Sequence, residues 1–306
     1  MGRFTEAVMT QAMRQVAGRL GVPADDARLV RLTNNAVFAL PTAGLVIRIT
    51  RSLALAERVH KVTTLGAWFE RVDAPTIRLD HRLDQPVRVG DLYATVWRYV
   101  PPTPPAPTVP DLARVLHEFH ALPAPPFALP QWDPVQDART RLADAEALDD
   151  HDRSFLLHWC DRIEARLARL RGQGDWRLVH GDAHVGNLLR QADTRVVLCD
   201  FDSTCLGPWQ VDLVATAVGE IRFGRVHAHR ELAAVYGHDV TRDPEWPLLR
   251  EARELKLVVA AVPLLASTPG VAAEFRTRLA SIRDGDENAR WTPYADLRRP
   301  SDSRPG

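Results

Sequence analysis

Residues 178–202, LVHGDAHVGNLLRQADTRVVLCDFD, constrain the fold more than any other part of the chain. Three apolar runs, RLVH, NLLR and RVVLCDF, read as short strands, and the polar residues 191–194 read as a hairpin turn between the last two. Around them stand His180, Gly181 and Asp182, then Asn187 five residues after that aspartate, then Asp200 thirteen further on. A carboxylate on a tight loop and an Asn/Asp pair across a small hairpin can converge on one point. Hard oxygen donors so arranged suit a divalent cation.

A chain of 306 residues is long enough for one two-lobed domain or two small ones. Its zero formal net charge argues against a dedicated nucleic-acid binder, which needs a clustered basic surface. No apolar run approaches the length of a membrane span, and no signal-peptide pattern opens the sequence, so no membrane partner is expected and the expected location is the cytoplasm. Three cysteines, Cys160, Cys199 and Cys205, suggest neither a disulfide framework nor a zinc knuckle. Charge is uneven along the chain: residues 1–103 carry 14 Arg/Lys against 9 Asp/Glu, and residues 104–205 carry 11 against 16. That division suits phosphates on a basic side and a neutral or cationic substrate on an acidic one, and it equally suits solvated faces of no special role.

Taken in order, Phe4, Val8, Ala12, Val16 and Leu20 recur every four residues before Gly21, which predicts an opening amphipathic helix with a glycine stop. The runs ARLVRL, NAVFAL and GLVIRIT then predict an antiparallel meander, with a helix from Ser52, its N-cap, through Phe69. PVRV and LYATVWRYV flank Gly90 as a second hairpin, and the latter runs into PPTPPAPTVP. This composition shift predicts two parts, 1–100 and 101–306. Helical periodicity dominates the second part, and the polar tail from about 298 is expected to be disordered.

The spacing H-G-D-x-x-x-x-N, followed by an apolar strand, D-F, Gly207-Pro208 and Asp212-Leu213, resembles the kinase-like phosphotransferases of the aminoglycoside phosphotransferase and choline kinase type. The resemblance implies an α+β, bilobal protein-kinase-like fold, with an antiparallel sheet and helix in the N-lobe and a mostly helical C-lobe. It implies transfer of a γ-phosphoryl group to a hydroxyl of a small molecule, with ATP or GTP as donor and Mg²⁺ as cofactor. Asp182 would then be the catalytic carboxylate, and Asn187 and Asp200 the metal ligands. Arg48 would stand where most kinases place a phosphate-binding lysine, with Glu57 as its partner, although Lys61 lies at the spacing of an ordinary surface pair with Glu57. Asn35, with Thr33 and Asn34, would form the loop covering the nucleotide, and Arg98, Tyr99 and Val100 the hinge whose backbone meets the adenine. His180 would buttress the loop, the roles of His184 and Asp202 stay open, and Asp212 would cap its helix. The alternative is an ATP-binding scaffold of the same fold without catalysis. The expected assembly is a monomer or homodimer.

Overall fold

The computed structural model describes residues 4–32, 35–50, 56–171, 176–266 and 268–297. Ser52, Thr33, Asn34 and the polar tail lie outside the described residues. The chain forms two compact units, Met1–Leu129 with Val185–Thr204 and Pro130–His184 with Cys205–Gly306.

The first unit opens with α1 (Glu6–Leu20), β1 (Arg28–Leu32), β2 (Asn35–Leu40), β3 (Leu45–Thr50) and α2 (Ala56–Arg71). It continues through β4 (Val87–Val89), β5 (Leu92–Arg98) and α3 (Val109–His120), beyond the expected boundary at residue 100. Helix α1 starts at Thr5, whose hydroxyl accepts from Val8 N–H, and stops at Gly21, whose φ of 67° few other residues adopt without strain. Its buried face is Met9, Ala12, Met13, Val16 and Ala17, whereas Val8 is exposed. The four-residue spacing read from the sequence drifts by roughly 40° per step around a helix, so alternating steps of three and four define the face instead. This face packs on Leu45, Ile47 and Ile49 in one core cluster. The five strands pair antiparallel in the order β1-β2-β3-β5-β4, the meander and second hairpin expected from the alternation.

The second unit begins with α4 (Pro134–Ala143), α5 (Asp150–Arg171) and β6 (Arg177–Val179). The chain then enters the first unit for β7 (Leu188–Arg190) and β8 (Val196–Leu198) before returning for β9 (Cys205–Gly207). Helices α6 (Val211–Phe223), α7 (Ala228–Tyr236), α8 (Trp246–Val259) and α9 (Pro269–Arg283) follow. Backbone bonds tie β8, and through its pairing β7, to the first unit. Leu198 N–H donates to Pro75 O and Ile77 N–H to Leu198 O, both at 2.9 Å. Arg190 adds an ion pair to Asp111 of α3 at 2.7 Å.

Helices α4, α5, α8 and α9 of the second unit share a core containing Leu156, Trp159, Ile163, Leu255, Phe275 and Leu279. Strands β6 and β9 pair antiparallel, and Trp132 N–H donates to Leu206 O at 2.7 Å. A Cβ on Gly207 would stand 2.8 Å from Trp132 Cβ, an atom the backbone holds in place. Gly207→Ala is therefore expected to destabilise the protein by about 1–3 kcal/mol, read as a lowered thermal midpoint.

Candidate functional site

Strand alternation sets the first part of the site. Leu45, Ile47 and Ile49 face α1, so Arg48 between them projects from the opposite face of the sheet. Cross-strand register places Arg31, Val37, Arg48 and Thr95 in one row on that face. The Arg48 guanidinium forms a close ion pair with Asp202 Oδ2 and reaches Asp200 Oδ1 at 3.4 Å, while Arg31 lies 3.6 Å from Asp200 Oδ2. Asn35 Nδ2 donates to Asp202 Oδ2 at 3.3 Å. Lys61 Nζ donates to the carbonyls of Asp202 and Thr204 at 2.7 and 2.8 Å. Burial would lower the pKa of Arg48, but the charges of Asp202 and Asp200 outweigh it and raise it. Asn35, Arg48 and Asp202 line a crevice with Thr95, Val59 and Val62.

The two acids are held there by the residue between them. Phe201 is buried, with its ring centroid 5.0 Å from that of Phe69 and 5.9 Å from that of Trp97. Asp200 itself adopts φ 69°, a left-handed conformation that is uncommon outside glycine and asparagine. The β7–β8 register brings Asn187 to the same hairpin end, where its carbonyl accepts from Cys199 N–H at 2.9 Å. Asn187 and Asp200, thirteen residues apart in sequence, are thus gathered at one end of a two-stranded ladder. Among the described residues no three His, Cys, Asp or Glu side chains form a metal site alone. One carboxylate and one amide oxygen fit a cation that takes the rest of its shell from phosphate and water, as Mg²⁺ does.

Asp182 lies in the second unit, and the chain crosses from that unit to the other between His184 and Val185. Gly181, at φ 77°, makes the sharp turn that precedes it. The fully buried Asp212 holds this turn, accepting from the N–H groups of His180 and Gly181 at 2.7 Å each. Helix capping is the role expected of Asp212, but the N-cap position falls on Gln210, and Asp212 accepts from these two backbone donors. His180, also buried, accepts from Asp182 N–H through Nδ1 at 3.3 Å, in keeping with a buttressing role. The Asp182 carboxylate accepts from Arg253 at 2.7 Å and from Lys256 at 3.0 Å, both on α8. Burial would raise its pKa, but the charges of Lys256 and Arg253 hold it well below the usual carboxylate range. Burial lowers the pKa of His184 to about 4, and Arg253, His180 and Arg225 add to that effect against the opposing pull of Asp182.

The structure thus brings Asn35 and Arg48 together, and gathers Asn187 and Asp200. It does not pair Arg48 with Glu57. Glu57 is exposed at the start of α2, and Asp202 and Asp200 hold the arginine instead. The sheet row directs Arg48 at the D-F-D segment, leaving an acid on the outer side of α2 no part in its neutralisation. In the expected hinge, Arg98 N–H donates to Arg78 O and Tyr99 N–H to Gly44 O, both at 2.9 Å. The Arg98 side chain pairs with Glu70 at 3.1 Å. Among the described residues Val100 N–H has no partner. Lys61, Arg253 and Lys256 were not recognised as site residues. Lys61 offers only its helical phase, one turn from Glu57, and α8 lies some seventy residues from the loop that it serves.

Two measurements follow from this geometry. Asp212→Ala strands two buried N–H donors and is expected to cost roughly 2–5 kcal/mol, read by chemical denaturation. His184 is held neutral in the fold while its unfolded pKa is about 6.5. Between about 4 and 6.5 the unfolded chain therefore binds more protons, and stability contributed by His184 is present above pH 6.5 and lost as pH falls toward 4. His184→Gln is expected to flatten this part of the stability–pH curve.

No helix among the described residues is long and apolar enough to cross a membrane. Among curated proteins, none matches the chain by sequence. Solved structures resemble it throughout. The amicoumacin kinase hAmiN, in complex with AMP-PNP, Ca²⁺ and Ami, superposes with a TM-score of 0.68 at 12% identity, covering 95% of this chain and 99% of that one. The aminoglycoside phosphotransferase APH(3'')-Id from Streptomyces rimosus gives 0.60 at 20% identity, over 82% and 98%. A choline/ethanolamine kinase family protein from Mesorhizobium loti gives 0.60 at 14% identity, over 89% and 94%. The fold is kinase-like, α+β, with an N-terminal antiparallel sheet and a mostly helical C-terminal part. A model of the phosphotransferase enzyme family (APH) matches residues 28–255, and the chain belongs to that family.

Proposed function

We propose that the protein is an ATP- and Mg²⁺-dependent phosphotransferase that moves the γ-phosphoryl group to a hydroxyl of a small molecule in the cytoplasm. The acceptor oxygen forms a bond to the γ-phosphorus, and the bond from phosphorus to the β–γ bridging oxygen breaks. The nucleoside diphosphate leaves with that electron pair, and the hydroxyl proton passes to Asp182. GTP suits the same chemistry as donor.

The observation that carries this reading is the β7–β8 hairpin end, which gathers Asn187 and Asp200 in a chain of the phosphotransferase family. Asn187 and Asp200 are assigned to Mg²⁺, which when bound neutralises charge on the donor phosphates. Arg48 is assigned to the phosphate oxygens, since its guanidinium can grip two at once. For that role it must exchange Asp202 for phosphate, and Asn35 beside it can keep Asp202 oriented meanwhile. Val100 N–H and the neighbouring carbonyls of Arg98 and Tyr99 are assigned to the adenine edge. Asp182 stays ionised through its pairs with Arg253 and Lys256, so its carboxylate is unprotonated when the acceptor arrives. Asn187 follows Asp182 by five positions in the chain.

Asp182→Asn is expected to lower acceptor-dependent ATP turnover by about 10²–10⁴-fold while MgATP binding persists. Equal turnover in both forms would instead identify a nucleotide-binding scaffold.

A further inference from the structure

The surroundings of Asp182 are basic although residues 104–205 as a whole are acidic. The difference comes from α8, which lies beyond that window. Arg253 and Lys256, three residues apart on one helix face, both converge on Asp182 Oδ1, and Lys256 also donates to Gly181 O at 3.1 Å. Two full positive charges therefore face one carboxylate. The Nε of Arg253 is buried and has no hydrogen-bond partner, which leaves a costly donor unused. Arg225 lies near enough to bear on His184 and forms no ion pair among the described residues. His184, neutral near pH 7, offsets none of this excess. A polycationic acceptor would meet like charge here, at a site where desolvation strengthens the repulsion.

Resting on the function proposed above, we infer that the acceptor carries an oxyanion, a carboxylate or phosphate close to its reacting hydroxyl, which Arg253 and Lys256 bind. A planar guanidinium with a free Nε–H suits a two-oxygen group, and the ammonium beside it suits the same charge. The arrangement also couples recognition to chemistry. When the oxyanion takes up the charge of Arg253 and Lys256, their hold on the Asp182 proton affinity weakens, and Asp182 becomes the better base only when such an acceptor is bound. A neutral or cationic acceptor leaves Asp182 pinned.

The test compares four three-carbon acceptors with ATP: D-glycerate, glycerol 3-phosphate, glycerol and serinol. kcat/KM for at least one of the two anions is expected to exceed that for glycerol and serinol about ten-fold or more. The two anions separate a carboxylate-selective site from a phosphate-selective one. In Arg253→Gln and Lys256→Gln the ratio of anionic to neutral kcat/KM is expected to collapse through a raised KM, while Arg253→Lys retains part of it. Preference for serinol or glycerol, or an equal loss on every acceptor, would overturn the inference. Should no acceptor be phosphorylated, the functional reading loses its support and the anion site is still read directly. Titration with sulfate is expected to shift the Arg253 Nε–Hε resonance saturably, with that resonance assigned by its absence in Arg253→Gln. In Lys256→Gln the sulfate affinity is expected to fall about ten-fold. An Arg253 resonance that does not respond to sulfate in the folded wild-type protein would refute the site outright.

Discussion

A permanent positive charge on the inner face of a five-stranded sheet must be neutralised, and much of the first unit is arranged to do so. Arg48 cannot release its proton, so its removal from water demands carboxylates close by. Asp202 and Asp200 supply them from a segment more than 150 residues away in sequence. Phe201, wedged against Phe69 and Trp97, fixes the turn that carries both acids. Lys61 ties down the carbonyls of the same turn. Hydrophobic packing thus supplies position, and the ion pairs supply the reason that this position is tolerated.

The loop of Asp182 follows a different logic. Its geometry depends on backbone donors rather than on side-chain charge, because Asp212 accepts two consecutive N–H groups around the left-handed Gly181. Charge enters only at the tip, where α8 contributes two cations. The result is an ionised carboxylate on a rigid turn, held by two cations of one helix.

Much of this was legible in the sequence because it is local. Strand alternation located the sheet and placed Arg48 in its third strand. The turn at 191–194 implied the hairpin that gathers Asn187 and Asp200. What stayed hidden depends on distant register. Nothing near Arg48 distinguishes Asp202 from Glu57 as its partner; only the path of the D-F-D turn beneath the sheet does. Likewise Arg253 and Lys256 look like solvated positions of an amphipathic helix until α8 is laid beside residues 180–182. Residue 8 shows the limit even of local patterns, since an apolar side chain at a plausible spacing faces water.

The discontinuity of the first unit bears on how the polypeptide matures. Its sheet and first three helices are complete by residue 129, but Phe201 and the strand that bonds to Pro75 and Ile77 belong to residues 185–204. During synthesis the nascent chain therefore carries an aromatic cleft at Phe69 and Trp97 without its filler, and an Arg48 without its acids, until some seventy-five further residues have left the ribosome. For that interval the half-made protein exposes the kind of apolar surface that chaperones recognise, and a transcript truncated after α3 would leave it so permanently.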